Sequence, residues 1–306
     1  MTMNQPILVT GAHRSGTTWV GKILAADHNT AYISEPLNVL HRRGVYRANV
    51  KHWYQYITSD NEADYFPAFQ QLLSFRYHLF WELSSLRSQK DFLRMGRDLS
   101  IFMKGRLLGQ RALLKDPFAV FSTPWFAQRL NCKVVITIRH PGGFASSLKR
   151  LNWNFDFRDL LNQPILMRDH LESDRADMEA IPAGDIVGQS ALLWRMIYRS
   201  VHSNLGQFPD FKVVRHEDLS LDPVAGYKSL YKSLGLTFDE KIRNTILNSS
   251  SSENPVELSK KKVHSVKLDS RANMNNWKKR LTPEEVIRIR KLTEDVSHLF
   301  YTENEW

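Results

Sequence analysis

The sequence predicts one three-layer α/β domain with a central parallel β-sheet flanked by helices and a helical insertion. Short apolar segments alternate with amphipathic segments along most of the 306 residues, which is the order of strands and helices that builds parallel sheets. Residues 134–138 are all β-branched, as in strands buried on both faces. Residues 8–20 have the pattern of a strand, a tight loop and a helix. The chain length suits one large domain with insertions.

The individual elements follow from local signals. Apolar runs predict strands at 7–10, 31–34, 112–115, 134–138 and 211–214, and amphipathic spacing predicts helices at 17–26, 123–130, 186–205 and 223–234. Gly235 is placed to end the last of these helices. Thr282 and Pro283, followed by two glutamates, form a typical N-terminus for one more helix.

Three regions interrupt the alternation within a single domain of residues 1–306. In residues 45–111, apolar and aromatic side chains recur at helical spacing, which predicts a helical insertion. Residues 155–185 are rich in acidic side chains and are expected to form a surface excursion. Residues 248–276 are rich in Ser, Asn and Lys without periodicity, so they are expected to form a loop long enough to cover an active site.

Composition limits the class of function. A net charge of +10 favours a polyanionic ligand, a nucleic acid or a membrane surface, or indicates a solvated basic face. No motif for reading DNA or RNA is evident, so no nucleic-acid partner is expected. Cys132 is the only cysteine, which excludes an intramolecular disulfide. Without a signal core or an apolar run of roughly 18 residues, the chain is expected to lack a transmembrane segment and to be cytoplasmic.

The loop after the first predicted strand indicates an anion site. Gly11 and Gly16 are separated by four residues, and the following helix directs its N-terminal N–H groups and positive dipole end toward the loop. This spacing alone fits either a simple strand-to-helix turn or the phosphate loop of a P-loop NTPase-like fold. However, Thr17 stands where a nucleoside triphosphatase loop has its lysine. The fixed cation of this loop is Arg14 instead.

The segment from Arg14 to Trp19 resembles the sulfotransferase family, whose 5′-phosphosulfate loop has the pattern [KR]-S-G-T-T-[WY]. The resemblance implies that the co-substrate is 3′-phosphoadenosine 5′-phosphosulfate. The implied loop ligands are Arg14, Ser15, Gly16, Thr17, Thr18 and Trp19. It also implies that Arg14 stabilises negative charge on the departing 5′-phosphate, where fixed donors are most effective.

A second resemblance lies in the family's 3′-phosphate site, which pairs a strand-end arginine with a serine eight residues later. Arg139 and Ser147 have this separation, with Pro141 between them. Arg271 is similar to an arginine of the family's C-terminal R-K-G…W-K segment, although Ala272 follows it here. The resemblance covers residues 7–30, 112–151, 186–236 and 268–295.

A hydroxyl acceptor requires a base to take its proton. Many cytosolic family members use the histidine of a K-T-H motif, but the corresponding residue here is Pro117 in Lys115-Asp116-Pro117. The Glu35-Pro36-Leu37 turn resembles a turn of carbohydrate sulfotransferases whose glutamate is the proposed base. Glu35 is therefore the predicted base, with Asp116 as the alternative. Glu35 can also be read as a structural carboxylate that caps a turn or pairs with Arg42.

These features predict a sulfotransferase that moves a sulfuryl group to a hydroxyl of a saccharide or other hydroxylated metabolite. No metal is implied, because a sulfuryl group carries less negative charge than a phosphoryl group. A P-loop kinase or nucleoside triphosphatase, and a non-catalytic nucleotide-binding protein, remain as alternatives. The sequence leaves open the acceptor and the oligomeric state.

Overall fold

A computed structural model describes residues 5–257 and 267–306 and contains a five-stranded, fully parallel sheet. The strands are β1 (Ile7–Gly11), β2 (Thr30–Ser34), β3 (Arg111–Lys115), β4 (Lys133–Ile138) and β5 (Lys212–Arg215), in the order β2-β3-β1-β4-β5. All five predicted strands are present within one or two residues of their expected bounds. The predicted fold class is confirmed.

Sixteen α-helices are present among the described residues. In chain order they are α1 (Thr17–Leu24), α2 (Phe66–Leu73), α3 (Leu79–Leu83), α4 (Gln89–Leu107), α5 (Thr123–Leu130), α6 (Pro141–Leu151), α7 (Arg158–Leu161), α8 (Pro164–Leu166), α9 (Arg175–Ala180), α10 (Ile186–Leu205), α11 (His216–Leu221), α12 (Pro223–Leu234), α13 (Glu240–Ser250), α14 (Ser270–Met274), α15 (Trp277–Arg280) and α16 (Pro283–Ser297).

Helices cover both faces of the sheet, so alternate strand residues enter two different cores. Ile7 and Val9 pack with α1, α12 and α13, whereas Leu8 packs in the larger core that includes α5, α6 and α10. Burial on both faces explains why the strands are continuously apolar. The lone Cys132 is buried in the larger core.

The two intervening segments differ in how they meet the core. The insertion at 45–111 contains α2, α3 and α4, and its stretch before residue 62 is irregular. Residues 155–185 are less superficial than expected, because their short helices bury Leu160, Leu166, Met167 and Leu171. Their acidic side chains are partly matched by α10, where Arg195 and Arg199 contact the buried carboxylate of Asp174. No described helix is long and apolar enough to cross a membrane.

The C-terminal ends of the strands meet at one edge of the sheet, where open α/β sheets bind ligands. The loop after β1 is fixed there by Tyr198 of α10. The Tyr198 hydroxyl accepts a hydrogen bond from the Ala12 N–H at 3.2 Å and donates to the Thr137 carbonyl at 2.9 Å. This buried phenol joins the loop to β4 and holds the edge in place.

We predict that Tyr198→Phe destabilises the fold while Tyr227→Phe does not. Loss of the Tyr198 hydroxyl leaves a buried N–H and a buried carbonyl without that partner, at a cost of about 1–3 kcal/mol. The Tyr227 hydroxyl is also buried but has no hydrogen-bond partner. Urea denaturation of both variants measures the difference. Equal free energies of unfolding in the two variants would contradict the assigned role of Tyr198.

Candidate active site

The loop between β1 and α1 is built for close approach of an anion. Gly11 has φ +133°, and a Cβ there would lie 2.2 Å from the Thr137 carbonyl oxygen, so only glycine fits. Arg14 has φ +69°, a left-handed conformation uncommon for residues other than glycine. The Ser15 hydroxyl contacts the Ala12 carbonyl and the Thr137 hydroxyl, each at 2.6 Å, and tightens the turn. The first N–H groups of α1, which have no partners within the helix, then face the loop.

Four arginines from four parts of the chain line one cavity at this loop. They are Arg14 of the loop, Arg139 after β4, Arg150 of α6 and Arg280 of α15. Among the described residues that line the cavity, Glu257 is the only acidic one, and it forms an ion pair with Arg280. Burial and then the positive charges of Arg139 and Arg150 lower the pKa of Arg14 to about 10. The described lining of the cavity therefore carries four arginines and one carboxylate, and it is strongly basic.

The predicted loop and strand-end residues come together here. The Arg14 Nε lies 3.3 Å from the Ser147 Oγ, and Arg139 Nη1 lies 3.4 Å from the Arg14 carbonyl oxygen. The predicted residues that line the cavity are Arg14, Gly16, Thr17, Thr18, Trp19, Arg139 and Ser147. One ligand can thus reach the loop and the Arg139–Ser147 pair.

Two of the residues predicted to bind the donor, Ser15 and Arg271, do not line this cavity. Ser15 is buried within the loop, and its hydroxyl contacts Ala12 and Thr137 as described above. Arg271 donates to the Leu221 carbonyl at 2.6 Å, away from the cavity. Its neighbours Ser270 and Asn273 line the cavity instead, and Asn273 Oδ1 accepts from Arg139 Nη2 at 3.1 Å. Part of the predicted covering loop, residues 258–266, lies outside the described residues.

Sequence reasoning missed Arg150, Arg280 and His216 as lining residues. The basic run that follows Trp277 was a signal for Arg280. His216 begins α11 directly after β5, and neither of its ring nitrogens has a hydrogen-bond partner in the part of the chain that the structure describes. Burial, followed by the charge of Arg139, lowers the pKa of His216 to about 3. Its neutral ring lies under the loop, because a Cβ on Gly16 would be 3.0 Å from His216 Nδ1.

The C-terminal wall of the cavity is seated on α6 by close packing. Trp277 stacks on His140 with ring centroids 4.7 Å apart and an interplanar angle of 14°. A Cβ on Gly142 would lie 2.8 Å from the Trp277 ring. Arg280, in the same short helix as Trp277, contacts the Ser146 hydroxyl at 3.4 Å. Glycine at 142 thereby lets the C-terminal segment close against the cavity.

A second cavity adjoins the first at α1. Thr18 lines both, and the second cavity is otherwise formed by the ends of β2 and β3, the turn that follows β2, and α4. Lys22, Glu35 and Lys115 line it together with Arg94 and Arg97 of α4. Insertion helix α4 thus contributes to this wall, whereas residues 155–185 line neither cavity.

Glu35 follows β2 directly and has φ +53°. Its carboxylate forms an ion pair with Lys115, whose side chain is almost fully buried, and accepts from Asn38 Nδ2 at 2.8 Å. Arg42, the other expected partner, pairs instead with the buried Glu82. Glu35 is therefore held at the boundary between protein and cavity by two neighbours.

Asp116 is placed differently. Its side chain is fully buried, and its two carboxylate oxygens accept from the N–H groups of Leu37 at 2.5 Å and Phe118 at 3.0 Å. Burial raises its pKa to about 7. Asp116 lines neither cavity, and its contacts fix the turn that carries Glu35. The described residues contain no cluster of His, Cys, Asp and Glu suited to a metal ion.

Comparison with known proteins identifies the family. A family model described as the sulfotransferase family matches residues 6–240. The chain belongs to the sulfotransferase family. Among solved structures, this sulfotransferase is similar to the sulfotransferase domain from the curacin biosynthetic pathway, with a TM-score of 0.50, 15% identity and 99% of each chain covered.

Two other structures align with lower scores. Sulfotransferase STF9 from Mycobacterium avium has a TM-score of 0.48 and 12% identity, with 99% of this chain and 78% of the other covered. Mouse sulfotransferase SULT7A1 complexed with PAP has a TM-score of 0.46 and 12% identity, with 99% and 87% covered. A search of curated protein sequences gave no match.

We predict that His216 makes this sulfotransferase sensitive to acid. The pKa of His216 is lowered to about 3 in the fold, so below about pH 6.5 the unfolded chain takes up a proton there that the folded chain does not bind. The free energy of unfolding should fall by up to about 1.4 kcal/mol per pH unit from this residue. His216→Asn should reduce the slope between these pKa values. Substitution of the exposed His202 by Asn is the control, and equal slopes in the two variants would contradict the prediction.

Proposed function

We propose that this protein transfers a sulfuryl group from 3′-phosphoadenosine 5′-phosphosulfate to a hydroxyl group. The observation that supports this donor most strongly is the convergence of Arg14, Arg139, Arg150 and Arg280 on one cavity. Their mutual repulsion is relieved by a ligand with several negative charges on separate groups. A nucleotide with phosphate at its 3′ position and phosphosulfate at its 5′ position has this distribution.

The two ends of the donor are assigned to two groups of residues. Arg14 and the N-terminal N–H groups and hydroxyls of α1 suit the 5′-phosphosulfate, because helix N-termini and guanidinium groups bind terminal anions. Arg139 and Ser147 suit the 3′-phosphate, as the family resemblance implies. Arg280 is a further candidate for this phosphate, because it lies on the same side of the cavity near Ser146.

The proposed reaction is a single displacement at sulfur. The acceptor oxygen forms a bond to sulfur as the bond from sulfur to the 5′-phosphate oxygen breaks, and the acceptor proton passes to the Glu35 carboxylate. Adenosine 3′,5′-bisphosphate leaves with the electron pair of the broken bond. Arg14 stabilises the charge that develops on the departing phosphate. Thr18 borders both cavities, so the sulfuryl group is expected to pass beside it.

Glu35 is preferred over Asp116 as the base on grounds of position. Glu35 lines the second cavity, where an acceptor hydroxyl can approach, and its carboxylate is held there by Lys115 and Asn38. Asp116 is shielded from both cavities and uses both oxygens to hold backbone N–H groups. We assign Asp116 the role of positioning the Glu35 turn. Glu35, Asn38 and Asp98 in the lining of the second cavity offer hydrogen-bond partners to a saccharide or another hydroxylated metabolite as acceptor.

Loss of Arg139 should remove discrimination for the 3′-phosphate. Wild-type protein is expected to gain more thermal stability from adenosine 3′,5′-bisphosphate than from AMP or from ATP with Mg²⁺. Arg139→Met should weaken bisphosphate binding by roughly 10-fold to 100-fold, since a charged hydrogen bond contributes about 1.5–3 kcal/mol, and should change AMP binding little. Isothermal titration calorimetry measures both affinities.

Arg271→Met is the matched control for Arg139→Met, because Arg271 lies outside the cavity and contacts the Leu221 carbonyl. It should bind both nucleotides like the wild type. A wild-type preference for ATP with Mg²⁺ would instead support a kinase or triphosphatase. An unchanged 3′-phosphate preference in Arg139→Met would show that the 3′-phosphate site is elsewhere.

Glu35→Gln should abolish transfer without loss of donor binding. A screen of glycans, lipids, alcohols and phenols with radiolabelled donor identifies an acceptor, and turnover is then measured with it. Loss of a general base reduces kcat by about 100-fold to 10,000-fold, whereas bisphosphate affinity should remain within about twofold because Glu35 does not line the donor cavity. Asp116→Asn tests the alternative: turnover retained in Glu35→Gln and lost in folded Asp116→Asn would reverse the assignment.

A further inference from the structure

Helices α3 and α4 carry an unusual exposed apolar surface. Of the sixteen large apolar side chains that are exposed in the described part of the chain, nine lie within residues 79–108. They are Leu79, Phe80, Trp81, Leu83, Phe92, Leu93, Met103, Leu107 and Leu108. Phe80 is 85% exposed and Leu93 is 79% exposed. We call this surface the α3–α4 face. Soluble proteins rarely expose so many large apolar side chains together, and such patches usually mark interaction sites.

The periodicity of α4 places an apolar stripe on its outward side, among exposed cationic residues. Met103 follows Phe92 by about three turns of helix, and Leu107 follows Met103 by about one turn. All three side chains are exposed. Phe102 and Gly105 lie on the opposite side and are buried against the domain. An ordinary surface helix places polar residues outward. Helix α4 therefore has one apolar side packed in the domain and a second that nothing in the described structure covers.

The charges around this apolar surface are of one sign. The exposed ionisable side chains of residues 79–108 are all cationic: Arg87, Lys90, Arg94, Arg97, Lys104 and Arg106. None of the three acidic residues in the same segment is classed as exposed. Glu82 is paired with Arg42, Asp91 lies 3.6 Å from Arg94, and Asp98 lies 2.8 Å from Arg97. The surface presented to the surroundings thus combines bulky apolar groups with a border of positive charge.

We infer that the α3–α4 face binds the surface of an anionic lipid membrane. Aromatic and leucine side chains that enter the boundary of the acyl chains, with Lys and Arg against anionic headgroups, are the features of helices that lie in a membrane surface. A second copy of this chain is a poorer occupant. A twofold contact would bring the same six cations of each copy together with no exposed acid from this segment to meet them.

The membrane would lie next to the second cavity. The side of α4 between its apolar stripe and the core contributes Arg94, Arg97 and Ile101 to that cavity, and Leu40, which is 81% exposed, lies on the cavity as well. An amphiphile embedded in the membrane could therefore extend its polar headgroup into the cavity. This consequence rests on the proposed function: the acceptor hydroxyl would belong to a membrane lipid or a lipid-linked saccharide.

Vesicle co-sedimentation of the full chain tests the docking. We expect binding to vesicles of phosphatidylcholine and phosphatidylglycerol in equal parts, weak binding to phosphatidylcholine alone, and loss of binding as salt screens the cations. Phe92→Asp combined with Leu93→Asp should lower the partition coefficient at least tenfold. Ile287→Asp is the control, because Ile287 is also exposed, at 67%, but lies on α16.

Three results would overturn the inference. They are absence of binding to the anionic vesicles, equal binding by the double variant and the Ile287→Asp control, and a wild-type dimer that the double variant converts to a monomer in sedimentation velocity. Thermal stabilisation by adenosine 3′,5′-bisphosphate, measured on the same preparations, reports separately on the proposed function. If adenosine 3′,5′-bisphosphate still stabilises the protein but the vesicles do not bind, the membrane inference is rejected and the proposed donor site stands.

Discussion

The site depends on keeping like charges close together. Burial lowers the pKa of Arg14, and the nearby charges of Arg139 and Arg150 lower it further. These three arginines cannot separate, because each is attached to an element that the buried sheet fixes: a loop after β1, the exit of β4, and α6. The packing of two cores against the sheet must offset this repulsion. A polyanion that removes the repulsion binds the folded state alone and therefore adds to its stability.

Strand order divides the sheet edge into two halves, each with its own cavity. The exits of β1, β4 and β5 supply Arg14, Arg139 and His216 to the first cavity, while β2 and β3 lead to Glu35 and Lys115 in the second. Because β1 is the central strand, helix α1 begins between the two cavities, and Thr18 of α1 lines both. The topology thus separates the strongly basic first cavity, the proposed donor site, from the second cavity, the proposed acceptor site, in which the Glu35 and Asp98 carboxylates oppose the positive charge.

Local patterns in the sequence were sufficient for the strands, the loop and the Arg139–Ser147 pair, because each depends on neighbouring residues. Arg150, Arg280 and His216 were missed because their approach depends on how distant helices return to the sheet edge. Arg271 shows a second limit. In the short helix that Asp269 caps, Ser270 and Asn273 are three residues apart and share one side, so the intervening Arg271 is directed elsewhere. Residues 155–185 were expected at the surface because of their acidic side chains, but several of their apolar side chains lie in the core.

The contact between Gly142 and Trp277 links the size of one residue to the shape of the first cavity. Gly142 is not among the described residues that line this cavity, yet its lack of a side chain allows Trp277 to stack on His140. The same seating brings Arg280 to the cavity wall. A relative with a larger residue at this position would hold its carboxyl-terminal arm farther out. Under the proposed function, its affinity for the donor would then change even if every proposed phosphate ligand were retained.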